Sequence, residues 1–342
     1  MLRLVTATLA VLGALLGGTL SLADELTPEG AYTLVARDVW SKHPFPKPEE
    51  LAAARKVLEE QATREPKSAR WTYALARVAV IEADRASGDA EKTKRKQALE
   101  GFEHAVELEP GNADYQYWLG SASFEHIDDV GMLSKMSLAS GGRKAFEKAI
   151  ALDPTQIAAR VGLSQFYVGA PAIAGGSVDK AKERANALIA LPEKRGEYQG
   201  HMILAGIAVR EENWPEVSRQ YTAAESSGGV GADPVAVLRS YAWNLLNRKK
   251  DPQAAAAIVA RYLKVASADD LTALFLDGEV KRQLGQCPEA LLSYDQVLAK
   301  RAEARGSRWG AAVCRDQAAR RLVRTRPGCV MLSTPLERRT FR

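Results

Sequence analysis

The chain has 342 residues, 46% of them apolar and 26% charged, so it can bury a core and is neither disordered nor collagen-like. Lys and Arg number 47 against 42 Asp and Glu, and this formal +5 is too mild to imply a nucleic-acid binder without a localised patch. Four His and three Cys are widely scattered, so no metal site and no cofactor are expected.

In chain order, residues 1–23 read as a targeting signal. Arg3 gives a positive start, Leu4 to Leu16 an apolar stretch, and Ser21-Leu22-Ala23 the small-x-small end of a cleavage site. The apolar stretch falls short of the roughly 20 residues that span a bilayer, and Gly17-Gly18 interrupts it. A cleaved signal is therefore expected, and with no Cys after the cleavage site the chain is not expected to be a lipoprotein. Residues 24–48 read as an N-terminal extended segment. In an oxidising extracytoplasmic space Cys287, Cys314 and Cys329 allow at most one intrachain bridge, and the sequence leaves open which pair forms it.

A repeat runs through the middle. Ala98, Phe102, Ala105 and Pro110 recur as Gly142, Phe146, Ala149 and Pro154, at steps of four, three and five residues. The first three positions share one face of a helix and the Pro stops it. Small side chains let a neighbouring helix approach, and the Phe fills the gap. Partner helices precede these, marked by Leu75-Ala76 after Pro66, Leu119-Gly120 after Pro110 and Leu163-Ser164 after Pro154. Leu204, Ala205, Ala208, Val217, Tyr221 and Ala224 make another helix pair, and Gly278, Gly285, Ala290, Tyr294 and Val297 a later one. Residues 233–267 read as one more pair with a blurred frame.

This pattern resembles the tetratricopeptide repeat, whose signature is Leu-Gly in helix A, then Ala, Phe, Ala and Pro in helix B. The resemblance implies an all-α fold, a right-handed α-solenoid of stacked antiparallel helix hairpins over residues 49–312. A basic capping helix is expected over 313–326 and a flexible tail over 327–342.

Three successive repeats depart from the standard length. Leu75 to Ala98 and Leu119 to Gly142 both span 23 residues, against 13 from Leu204 to Val217. Turns between helices A and B stack along one edge of a solenoid, so these insertions are expected to form a contiguous ridge, and insertions often mark a binding face. The first, 82–96, reads as a solvated charge run turning at Ser87-Gly88-Asp89. The second spaces Ile127, Val130, Leu133 and Met136 in threes, as one or two extra helical turns. In the third, Ala170-Pro171 ends a helix, Gly175-Gly176 permits a tight turn and Ser177 caps the next helix. The Phe166-Tyr167 to Gly175-Gly176-Ser177 element resembles one in exported bacterial tetratricopeptide proteins, which implies a periplasmic or secreted setting.

In proteins of this resemblance helix A lines a concave groove. The residues this assigns to the groove are Arg70, Tyr73, Arg77, Tyr117, Phe124, Gln165, Met202, Arg210, Phe275, Glu279 and Arg282. Aromatics beside Arg suit a peptide with acidic groups, although each ring has the alternative of packing between repeats. From Arg315 to Arg342 there are eight Arg against Asp316 and Glu337, and Arg320, Arg321 and Arg324 offer a basic face for an acidic partner or acidic lipids.

No catalytic constellation is present: there is no Gly-Lys-Ser phosphate loop, no His-Glu-x-x-His and no Gly-x-Ser-x-Gly. The expectation is a non-catalytic scaffold that holds a protein or an extended peptide, in the groove or along the ridge, without nucleic acid. The alternative is a small-ligand-binding accessory protein of a solute-uptake system, recognisable by a closed pocket lined by Tyr73, Tyr117 and Phe124.

Overall fold

The structure, a computed structural model, describes residues 26–36, 46–228 and 232–324, with 319–324 as backbone only. The expected signal at 1–23 and tail at 327–342 lie outside the described residues, as does Cys329. Among the described residues there are 15 helices and no strand. They fall into two units, Met1–Leu191 and Pro192–Arg342.

The first unit contains α1 (Pro28–Val35), α2 (Pro48–Arg64), α3 (Ala69–Ala83) and α4 (Asp89–Leu108). It continues with α5 (Ala113–Glu125), α6 (Met132–Leu152), α7 (Ile157–Gly169) and α8 (Val178–Ile189). Consecutive helices pack as antiparallel hairpins, α3 on α4, α5 on α6 and α7 on α8. The stretch 24–48, expected to be extended, carries α1. Thr27 caps that helix, its hydroxyl accepting from the Gly30 N–H at 3.0 Å, and Pro28 opens it. Ala31 and Val35 then bury one face against Leu51, Ala54 and Leu58 of α2, which pulls a short segment out of the extended state.

The helix stops follow the sequence. α2, α4 and α6 end at Arg64, Leu108 and Leu152, each two residues before a Pro (Pro66, Pro110, Pro154). Asn112 caps α5, accepting from the N–H groups of Asp114 and Tyr115. Ser177 caps α8, accepting from Lys180 N–H at 3.3 Å. Gly175 sits at φ 94°, and a Cβ on Gly176 would fall onto the Ala170 carbonyl, so the tight turn before α8 needs both glycines.

Packing is set by alternating small and aromatic positions. Phe146 lies between α5 and α7, where a Cβ on Gly120 would come within 2.6 Å of its ring and one on Gly162 within 2.5 Å. Two missing Cβ atoms therefore leave the slot the ring fills. From there an aromatic series runs through the unit: Phe166, Phe124, Phe146, Tyr117, Trp118, Phe102, Tyr73 and Tyr115 stand at centroid distances of 4.7–6.0 Å from one another in sequence.

The insertions became mostly helix. α4 starts nine residues before Ala98, after a turn in which Gly88 has φ 64°, and the second insertion is a single 3-10 turn, Ile127–Asp129, followed by the long α6. Arg95 pairs with Asp129 at 3.6 Å, joining the first insertion to the second. A cleft lined by both Met136 and Ile173 joins the second to the third.

The second unit contains α9 (Lys194–Arg210), α10 (Trp214–Ser227), α11 (Pro234–Asn244), α12 (Pro252–Val265), α13 (Leu271–Gln283), α14 (Cys287–Lys300) and α15 (Arg305–Arg324). Here too the small and aromatic positions of helix B are buried, as at Val217, Tyr221 and Ala224, and at Ala290, Tyr294 and Val297. The blurred pair is α11 and α12, where Ala255, Val259 and Tyr262 are buried at the same steps. α11 passes into a single π turn, Leu245–Lys249, before Asp251 caps α12. Cys287 and Cys314 form a disulfide with Cα atoms 5.1 Å apart, tying α14 to α15.

Candidate functional site

The residues expected to line a groove separate by unit: Arg70, Tyr73, Arg77, Tyr117, Phe124 and Gln165 belong to the first, Met202, Arg210, Phe275, Glu279 and Arg282 to the second. Several of them serve the fold. Tyr73 is 4% exposed, stacked on Tyr115 at 4.7 Å and against Phe102 at 5.8 Å, and burial pushes its hydroxyl up to about 12. It is a packing residue, which removes one wall of the small-molecule pocket that Tyr73, Tyr117 and Phe124 would have shared. Arg77 is 5% exposed; its guanidinium lies 3.7 Å over the Trp118 ring, and its Nη1 donates to the Tyr73 hydroxyl at 3.1 Å.

Arg70 opens α3 and reaches back to α1. Its Nη1 donates to Glu29 Oε1 at 2.8 Å, while the guanidinium covers Tyr32 at 4.2 Å and Trp71 at 4.8 Å. Two of the groove arginines are thus engaged within the first unit: α1, absent from the sequence-based expectation, supplies Glu29 and Tyr32 to Arg70, while Tyr73 of α3 and Trp118 of α5 hold Arg77. In the second unit the same holds. Glu279 accepts from the Tyr294 hydroxyl at 2.6 Å and pairs with Arg282, whose guanidinium lies 4.8 Å over Trp309, so this trio fastens α13 to α14 and α15. Met202 and Phe275 are half-buried against their cores, and Arg210 is exposed at the end of α9.

What stays accessible in the first unit is a stripe of α5. Tyr117, Ser121 and Glu125 follow at four-residue steps, so they share one face. Ser121 Oγ donates to Glu125 Oε1 at 3.2 Å. Phe124 is half-buried beside the stripe, its ring 5.6 Å from Phe146 and 5.5 Å from Phe166, and Gln165 is exposed on α7. Loss of hydration pushes Tyr117 up to about 12, opposed mainly by the charge of Arg77. Loss of hydration also raises Glu125, and the neighbouring Asp84, which caps the C-terminus of α3, adds to it, against the Ser121 hydrogen bond and the charges of Arg95 and Arg77. Asp84 is itself raised, by loss of hydration and by Glu91, with Arg95 opposing. Both carboxylates remain exposed. They therefore hold a proton more readily than an ordinary surface carboxylate.

Sequence reasoning missed Ser121, Glu125 and Asp84. The signal was available, since Ser121 and Glu125 continue the four-residue period of Tyr117, but choosing them needs the neighbouring helix in place. His126 lies 3.2 Å from Asp129, which also takes Arg95, so its imidazole is held in a local polar cluster. No cluster suited to a metal ion is present among the described residues.

No protein-family model matches the sequence, and no curated protein matches it either. Solved structures do. A tetratricopeptide repeat protein from Parabacteroides merdae aligns with TM-score 0.53 at 12% identity, over 78% of this chain and 93% of that one. Yeast Tom70 aligns with TM-score 0.55 at 16% identity, over 91% of this chain and 67% of that one. At such identities the likeness is one of fold: the chain has the tetratricopeptide-repeat fold.

Proposed function

We propose that this chain, built on the tetratricopeptide-repeat fold, is a non-catalytic scaffold that holds an extended segment of a protein partner against the α3 and α5 helices of its first unit. The observation that carries this reading is the stripe of Tyr117, Ser121 and Glu125, with Asp84 beside it. It offers a half-buried aromatic ring and two exposed carboxylates. A partner bringing a Lys or Arg side chain, or unpaired backbone N–H groups, would form charge-assisted hydrogen bonds to those carboxylates and offset the repulsion between them. The chemistry expected of the partner therefore shifts from acidic to donor-bearing, since Arg70 and Arg77 are spent within the fold. Repeat proteins whose hairpins expose an aromatic and polar stripe work by surface, and the sequence carries no Gly-Lys-Ser phosphate loop, His-Glu-x-x-His or Gly-x-Ser-x-Gly motif.

The proposed setting is the periplasm or the extracellular space. The signal-like residues 1–23 support it, and so does the Cys287–Cys314 disulfide, which persists in oxidising compartments. Any contact of the basic C-terminal residues with acidic lipids or an acidic partner remains part of this proposal alone.

The test is site-specific photocrosslinking in the producing cell, with the reactive side chain placed at Ser121, at Gln165 and, as an outer-face control, at Glu103. A shared protein adduct at the first two positions, absent at Glu103 and weakened by Glu125→Lys, is the expected result. Adducts at Glu103 alone, or no adduct at Ser121 and Gln165, refute the assignment. Mass spectrometry of the same protein should find a mature start near Asp24; an intact residue 1–23 segment on the exported chain refutes signal cleavage.

A further inference from the structure

α5 has 13 residues and α6 has 21, so α6 overhangs its hairpin partner by eight residues, about 12 Å at the helical rise. The overhang carries Met132, Leu133 and Met136, exposed by 74%, 86% and 50%. Their own hairpin offers nothing to bury them against. Across from them, the short 3-10 turn Ala172–Ala174 holds Ile173 at 89% exposure. Between the two insertions lies a cleft of about 400 Å³, lined among others by Met136, Ser140, Arg143, Tyr167, Ile173 and Lys180.

The charges at the cleft are unequal. Arg143 pairs with Glu147 at 2.6 Å, and Glu147 also accepts from the Tyr167 hydroxyl at 3.4 Å. Lys180 lies 5.5 Å from the Tyr167 ring centroid and pairs with no carboxylate among the described residues. Lys135, on the overhang, is taken by Asp128 at 3.0 Å. The apolar walls thus carry one uncompensated cation at their edge, and two flexible Met side chains that adapt to what enters.

We infer that this ridge cleft is a second docking site, for an acidic amphipathic helix that inserts an apolar side chain between Met136 and Ile173 and sets a carboxylate against Lys180. The inference rests on the reading that the chain holds protein segments. An acidic helix meets both features at once, since its apolar stripe covers Leu133 and Ile173 while a carboxylate one turn away reaches the cation. A second copy of this chain would bring a second uncompensated Lys180 to the contact. A bilayer would cover the rim and leave the cleft unfilled.

The probe is a synthetic amphipathic helix with Leu on one face and Glu on its flanks, labelled and titrated with the full chain by fluorescence anisotropy. Its twin carries Lys for every Glu. The acidic helix is expected to bind about tenfold or more tightly than the twin, and Ile173→Asp and Lys180→Glu should each cost about tenfold. Both substituted side chains are exposed, so circular dichroism should be unchanged. Glu125→Lys should leave this binding intact, which separates failure here from failure of the α5 stripe. Equal binding of the two helices, or full binding by Ile173→Asp, overturns the inference. So does capture of phosphatidylglycerol vesicles in place of the helix, or a concentration-dependent dimer that Ile173→Asp abolishes.

Discussion

Replacing Gly162 by Ala should destabilise the first unit, although the same change at the open helical position Gly141 should stabilise it. A Cβ at Gly162 would stand 2.5 Å from Phe146 Cζ, 2.8 Å from Cε2 and 2.9 Å from Cε1. Ordinary carbon contacts lie near 3.5–4.0 Å, so the ring must move by about 1 Å. It has no room to do so. Phe146 is 3% exposed and stacked on Phe124 at 5.6 Å, and its Cδ1–Cε1 edge already lies against Gly120. Overpacking of this kind costs about 1–3 kcal/mol. Ala regains up to about 1 kcal/mol over Gly through helix propensity. The net expectation is a loss of about 1–2 kcal/mol, or several degrees of Tm at about 2–4 °C per kcal/mol for a unit of this size. The control is Gly141→Ala on α6, where nothing lies within 4 Å of the added carbon, and a gain of about 0.5–1 kcal/mol is expected. Urea titration followed by circular dichroism and Trp fluorescence measures both. If Gly162→Ala gains as much as Gly141→Ala, the wedge between Gly120 and Gly162 is not what sets this packing.

Reducing the Cys287–Cys314 bridge, or replacing both Cys with Ser, should lower the stability of the second unit by about 3–4 kcal/mol on loop entropy for a separation of 27 residues; an unchanged urea midpoint counts against it. Glu125 and Asp84 hold protons more tightly folded than unfolded, so these two groups favour the fold increasingly as pH falls from neutral toward the ordinary Glu value of 4.5. Glu125→Gln should therefore raise the urea midpoint at neutral pH and flatten the rise on acidification, whereas a lowered midpoint contradicts the hydration argument. Tyr73, Tyr117 and Tyr221 stand near 12 against an ordinary 10, so the unfolded chain ionises first and stability should fall from pH 10 to 12. Following tyrosinate absorbance against circular dichroism checks this, since free titration near 10 with the fold intact would show the rings to be accessible. Arg70→Ala should release α1, read as faster amide exchange over residues 28–35 with α3 unchanged.

The steps of four, three and five residues were enough to place helix B wherever an aromatic held the middle position, as at Phe102 and Phe146. They also existed where no aromatic marked them. Ala54, Leu58, Gln61 and Pro66 keep the spacing with Leu in place of Phe, and Leu58 is fully buried in α2. In α12 the aromatic moved one step on, to Tyr262, behind Val259, which is why 233–267 read as blurred. A helix face tolerates that move because positions three and four apart point the same way. The bridge was a different matter. Three cysteines left the pairing open, and only the packing of α14 on α15 brings Cys287 and Cys314 together.

The sequence by itself determined the repeat helices, their stops at Pro, and the small positions that let them pack, because these follow from local period and backbone chemistry, whereas α1 forms only against α2. It did not determine which polar groups would face a partner. Arg70 looked available until α1 brought Glu29 against it, and Tyr73 looked like a groove residue until Tyr115 closed over it. Glu125 looked ordinary until Asp84, forty-one residues away in the chain, came near. Availability is a property of neighbours, and neighbours separated by tens of residues are chosen by how hairpins stack, which no local pattern records.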